Sequence, residues 1–208
     1  MVIAVHPDDE TLGCGGTILK HISLGDIVSV VFITNGNKIQ EKIIERVSEA
    51  YSLSKIYKLG LKEVYLENEP LVNIIKPLSL AISDFKPSIL YIPNRSDVHS
   101  DHRSVFQALQ ACTKSFRSPF IKKVLMMEVI SETDFAPSLP ENSFISNIFI
   151  DISEFYEKKE NILSMYKDEL LEEFQTRSIS TMRALNRYRG SLINVEYAES
   201  FMLIKEII

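Results

Sequence analysis

The sequence predicts an α/β fold, a doubly wound and mostly parallel sheet with helices on both faces. Two observations carry this expectation. Ile27 to Thr34 and Ser88 to Ile92 are nearly continuous apolar runs, the composition of strands covered on both sides. Between such runs lie segments with helical spacing, so strand and helix alternate about three times along the first half. That alternation implies right-handed crossovers, with ligands bound at the carboxyl ends of the strands.

In chain order, Met1 to Val5 reads as a short buried strand, followed by a polar loop, His6 to Glu10. Gly13, Gly15 and Gly16 predict a turn, and Thr17 to Leu24 a helix closed by Gly25. After the Ile27–Thr34 strand, Asn35-Gly36 signals a turn. Lys38 to Leu59 has helical spacing, with Ile39, Ile43, Val47, Ala50 and Leu53 near one face and Gly60 as its stop. Glu63 to Leu66 is expected as a short strand, Leu71 to Phe85 as a helix and Ser88 to Ile92 as a strand ended by Pro93. Val105 to Cys112 is expected as a helix, Lys123 to Val129 as a strand and Thr133 to Ser143 as a proline-containing loop. Ile148 to Ile152 is expected as a strand, Ser153 to Leu171 and Ser178 to Tyr188 as helices, and Tyr197 to Ile207 as a late strand.

A chain of 208 residues without repeats, low-complexity tracts or linkers is expected to form one domain, 1–208. At that size no disulfide is needed, so Cys14 and Cys112 imply no bridge. Their scarcity and the lack of a signal-peptide pattern point to a cytoplasmic location. The net charge of −5, with both signs well mixed, argues against a nucleic-acid surface. No apolar run approaches the roughly 20 residues of a membrane span.

Two clusters carry chemistry: His6-Pro7-Asp8-Asp9-Glu10 and His99-Ser100-Asp101-His102, each after an expected buried strand. They hold three of the four histidines; His21 is the fourth. Imidazole with carboxylate suits a divalent metal such as zinc. Catalytic zinc typically keeps three protein ligands and one open position for water, whose pKa it lowers to about 7. A carboxylate beside it can take the proton, and an imidazole can assist the leaving nitrogen. The plainer alternative is solvated loop residues, with Asp101 capping the following helix. Two such clusters at strand ends of one parallel sheet favour the metal.

The segment His6 to Thr17, HPDDETLGCGGT, resembles the opening signature of the PIG-L/LmbE-like N-deacetylase family. Asp97 to Arg103, DVHSDHR, resembles its second signature. Arg46 with Glu49, and Tyr197 to Phe201, resemble weaker family patterns, so the likeness runs to about residue 201. The departures are a clipped first strand and Ser100 where proline is frequent.

The resemblance implies a Rossmann-like fold and a zinc (Zn2+) site held by His6, Asp9 and His102. It implies Asp8 as general base, His99 as oxyanion stabiliser or acid, Asp101 as the residue orienting a histidine, and Arg46 near the substrate entrance. His99 is then expected to titrate near or above neutrality, held there by Asp97 or Asp101. The implied reaction removes an N-acyl group, acetyl foremost, from an amino sugar or related small molecule. Its partner is that N-acetylated sugar or sugar conjugate, with a homo-oligomer compatible. Two alternatives remain open: a metal-dependent hydratase or lyase on the same scaffold, and a non-catalytic metal- or sugar-binding module. Several other residues read as packing or surface. Cys14 is a small packed residue and His21 a helix-surface residue; Arg177, Arg183, Arg187 and Arg189 face either an anionic substrate or solvent, and their helical spacing favours solvent. Tyr188 and Tyr197 either border a sugar pocket or, the commoner role of tyrosine, pack half-buried.

Overall fold

A computed structural model describes residues 1–208. Its strands are β1 (Val2–Ala4), β2 (Ser29–Thr34), β3 (Lys55–Leu61), β4 (Ile89–Ile92), β5 (Lys123–Met127), β6 (Ile148–Asp151) and β7 (Ala198–Glu206). Its helices are α1 (Asp9–Ser23), α2 (Lys38–Tyr51), α3 (Leu71–Phe85), α4 (Ser100–Cys112), α5 (Tyr156–Leu163) and α6 (Ile179–Ser191). The strands form one seven-stranded sheet in the order β3-β2-β1-β4-β5-β7-β6. β1 to β5 run parallel, and β7 is antiparallel to both β5 and β6. The chain winds outward from β1 through β2 to β3, then returns to β4 on the other side of β1. That reversal opens a crevice at the carboxyl ends of β1 and β4, and His6 and His99 follow those two strands.

Both faces are covered, as the apolar runs require. Val2, Ala4, Val30 and Phe32 pack with Leu12 and Ile18 of α1, Ile44 and Val47 of α2, and Ile162 of α5. Ile3, Val5, Val31 and Ile33 face the other way, onto Ile74 and Leu78 of α3 and Val105 and Leu109 of α4. Alternate residues of one strand thus enter opposite cores. No helix is long and apolar enough to cross a membrane.

Four expectations fail locally. The glycine turn is helical: α1 already begins at Asp9, and Gly13, Gly15 and Gly16 lie inside it. They are small because the helix is pressed close, since a Cβ on Gly16 would stand 2.6 Å from Ile152 Cβ. The long helix 38–59 ends at Tyr51, where Ser52 turns left-handed (φ 66°) and Leu53 N–H closes onto Ser48 O. Residues 55–61 instead pair with β2, because Ile56, Tyr57 and Leu59 complete the edge of the sheet. The expected strand at 63–66 is a turn leading into a 3-10 turn, Leu66–Asn68. The helix expected over 153–171 keeps only Tyr156–Leu163 as α-helix, with single 3-10 turns on either side. By contrast α4 starts earlier than expected, at Ser100, which places His102 in its first turn.

The close approach of α1 yields a stability test. Gly16→Ala forces a methyl group against Ile152, and overpacking of this kind costs roughly 1–3 kcal/mol. The urea midpoint should fall accordingly; an unchanged midpoint would mean that α1 can back away from Ile152.

Candidate active site

The two loops after β1 and β4 are shaped by their own side chains. Asp9 Oδ2 accepts the backbone N–H groups of Val5 (2.9 Å) and His6 (2.8 Å), folding the start of α1 back onto the end of β1. Asp9 sits at a helix N-terminus, where a carboxylate is favoured. Asp8 between them takes φ 130°, a strained value for a side-chain-bearing residue. On the second loop His99 is the N-cap of α4, its Nδ1 accepting from Asp101 N–H at 3.1 Å.

His6, Asp9 and His102 converge, each with a ligand atom within 4.8 Å of the other two. Their hydrogen bonds fix which atoms are free. His6 Nε2 lies 3.2 Å from Asp101 Oδ2, so it carries the proton and leaves the Nδ1 lone pair. His102 Nδ1 lies 2.8 Å from Asp97 Oδ2, which leaves the Nε2 lone pair free to bind a metal. That Nε2 is buried with no hydrogen-bond partner, although Asp9 Oδ2 is only 3.3 Å away. Two polar atoms this close, neither aligned to bond the other, fit a shared cation. His6, His99 and Asp101 form a second grouping of the same span. It fits a metal less well, because Asp101 is already engaged by Val64 N–H (2.7 Å), Leu66 N–H (3.0 Å) and His6.

Electrostatics follow from burial and pairing. Burial opposes charge on His102, yet Asp9 and then Asp97 raise its pKa well above the usual imidazole range. Burial likewise acts against ionised Asp9, but His102 and His6 hold that carboxyl below its ordinary value. Asp8 is raised well above the carboxylate range, first by burial and then by Asp9, against Arg177. Burial pushes Glu10 up to about 7. His99 moves down, first from burial and then from the neighbouring His6. This corrects the expectation of an acid-supported, protonated His99. Asp97 bonds His102 and Thr133, and the Asp101 carboxylate bonds His6 and two backbone amides. His99 is left neutral, with Nδ1 accepting and Nε2–H free to donate.

Beside this cluster lies a small cavity of about 130 Å³, lined among others by Asp8, His99, Glu63, Glu132, Glu169 and Arg177. Arg46 is not part of it: it is exposed on α2. The arginine at the pocket is Arg177, whose Nη1 lies 3.4 Å from Asp8 Oδ2. Sequence reasoning set Arg177 among solvent-facing residues, and Glu132 and Glu169 carried no signal, because all three lie in irregular segments without periodicity. Arg183 faces solvent as expected, ion-paired with Glu160, whereas Arg189 is mostly covered and paired with Glu128. His21 is bonded to Asp26 and Tyr91, and Tyr197 stacks on Tyr156. A larger cavity of about 420 Å³ lies at the opposite ends of β1 and β4, bordered by Met1, Cys14 and Tyr91; it contains neither histidine–aspartate grouping.

A family model described as PIG-L, GlcNAc-PI de-N-acetylase, matches residues 1–113, just over half of the 208. The protein named uncharacterized deacetylase YaiS, from Escherichia coli K12, is 28% identical over 125 residues. That match covers 54% of this chain and 66% of the relative, just under two thirds of its length. The solved N,N'-diacetylchitobiose deacetylase from Pyrococcus horikoshii superposes with a TM-score of 0.78 at 20% identity, over 98% of this chain and 82% of that one. GalB, the 4-carboxy-2-hydroxymuconate hydratase from Pseudomonas putida KT2440, superposes with a TM-score of 0.72 at 14% identity, over 100% and 96%. At these identities the two structures show a shared fold.

The hydrogen bonds around Asp101 can be tested without any ligand. Asp101→Ala leaves His6 and the amides of Val64 and Leu66 without their acceptor, a loss of roughly 1–3 kcal/mol. Arg46→Ala, on an exposed helix face, should stay within about 0.5 kcal/mol. Urea denaturation of chelator-treated protein reads both; equal effects would contradict the geometry.

Proposed function

The chain belongs to the PIG-L (GlcNAc-PI de-N-acetylase) family, and on that premise we propose that it is a zinc-dependent hydrolase removing an acetyl group from the nitrogen of an amino sugar or sugar conjugate. The observation that carries this reading is the orphaned, buried Nε2 of His102 facing Asp9 and His6, with Asp8 and His99 lining the adjoining pocket.

His6 through Nδ1, Asp9 through its carboxylate and His102 through Nε2 would hold the ion, with Asp101 and Asp97 orienting the two rings. Bound there, zinc would supply Lewis acidity, polarising the amide carbonyl and easing the deprotonation of water. Asp8 takes a proton from the attacking water and passes it to the leaving nitrogen, so that amide and water become acetate and amine. Arg177 beside it fixes the carboxylate's orientation. His99 offers its Nε2–H to the oxygen that gains negative charge. The cap bond at Nδ1 holds the ring for that task, which suits a neutral donor better than a proton-delivering acid.

A hydratase on the same scaffold is the second reading, favoured by the shared fold of GalB. Such an enzyme, acting on an acidic substrate, needs several basic groups beside the metal. Here the pocket offers one guanidinium, already against Asp8, among five carboxylates. A mere binding module would need neither Asp8 nor His99.

Purified protein should hold one zinc per chain and release acetate from N-acetylglucosamine or its oligomers. Asp8→Asn should keep the zinc and lose roughly 10²–10⁴-fold in kcat, whereas His102→Ala should lose the metal. Zinc content and acetate release check both. Near-full turnover in Asp8→Asn, or loss of its zinc, would remove the proposed base.

A further inference from the structure

We propose that the pocket selects by charge: it takes hydroxyl-rich substrates that are neutral or cationic around the N-acetyl group, and disfavours those carrying an anionic group there. This rests on the deacetylase reading of the same site and adds the substrate class.

The lining sets the sign. Glu63, Glu132 and Glu169 border the cavity together with Asp8 and Asp9. Asp9 faces His102 and Asp8 faces Arg177, so those two carboxyl groups have partners. The other three have no ion-pair partner, and Glu169 accepts only from the neutral Gln40 amide, at 2.9 Å. A divalent ion would offset the ligand Asp9 and part of the remainder, and the rim would stay negative. At physiological ionic strength the screening length is about 8 Å, comparable to the reach of a small substrate, so an anionic substituent beside the sugar ring would feel the rim.

Two buried atoms set the hydrogen-bonding pattern. Arg177 Nε is a donor without an acceptor, and Glu132 Oε2 has no partner at all. A sugar hydroxyl both donates and accepts, so hydroxyl groups can serve either atom. A phosphate, sulfonate or carboxylate only accepts; it can serve Arg177 Nε but offers no proton to Glu132 Oε2. Leaving a buried polar atom unserved is itself unfavourable.

The test uses three glycosides of N-acetylglucosamine that share one linker: 2-aminoethyl, 2-hydroxyethyl and 2-sulfonatoethyl. Sulfonate ligates metals weakly, which separates pocket charge from coordination. Calorimetry on zinc-loaded enzyme at low salt should rank them amine, hydroxyl, sulfonate, with the sulfonate about tenfold weaker than the amine. The spread should shrink at high salt and in the Glu63→Gln/Glu169→Gln double variant. Equal or tighter binding of the sulfonate overturns charge selection, as does a spread unaltered by the double variant. Acetate release from the same glycosides reads the reaction separately: ranked binding without acetate overturns the deacetylase reading and leaves the charge selection standing.

Discussion

Burying several carboxylates and imidazoles at one end of a parallel sheet is unfavourable unless each charge meets an opposite one. That constraint organises the molecule around its crevice. Desolvating an isolated ion costs several kcal/mol, so Asp9, Asp97, Asp101 and His102 are each tied to at least one partner. Asp97 spans His102 and Thr133, Asp101 spans His6 and the turn at Val64, and Asp9 holds the backbone amides of Val5 and His6 at the end of β1. Among these four residues, the buried atom left without a hydrogen bond is His102 Nε2, beside Asp9 and His6.

Distant parts of the chain serve this arrangement. Val64, a β-branched residue, is held at φ 60° while its N–H bonds Asp101, so a loop beyond β3 indirectly orients His6. Behind the first loop, a buried ion pair, Lys159 with Glu199, packs against α1. Glu199 on β7 accepts the Gly16 and Thr17 amides at 2.8 Å each, and Lys159 on α5 bonds both Glu199 and the Leu12 carbonyl. These side-chain bonds to the backbone dock the helix that begins with Asp9 onto the antiparallel end of the sheet. In the late segment Tyr197 to Phe201, Glu199 thus braces α1, and none of these residues lines the pocket beside His6.

Most of the parallel sheet and both histidine clusters were legible from sequence, for a physical reason. Strands covered on both faces must be continuously apolar, and the switch point forces polar residues into the loops that follow β1 and β4. Local pattern failed where tertiary packing overrode it. Gly13, Gly15 and Gly16 read as a turn because glycine favours one, yet they are glycine so that α1 can approach β5, Lys159 and Ile152. Residues 55–59 carry a spacing compatible with a helix, and pairing with β2 decided otherwise. Arg177 and Glu132 reach the pocket from irregular segments, and no periodicity announces where such a side chain points. His99 was expected to be held protonated by an acid, because sequence cannot tell which partner each neighbouring aspartate takes.

The central claim is that one metal ion sits between His6 Nδ1, His102 Nε2 and the Asp9 carboxylate. Anomalous X-ray diffraction at the zinc edge, from crystals of the zinc-loaded protein, tests it most directly. A single peak in contact with those three groups, with Asp101 still bonded to His6 Nε2 and to the amides of Val64 and Leu66, is the predicted result. A peak ligated by His99 and Asp101 instead would contradict it.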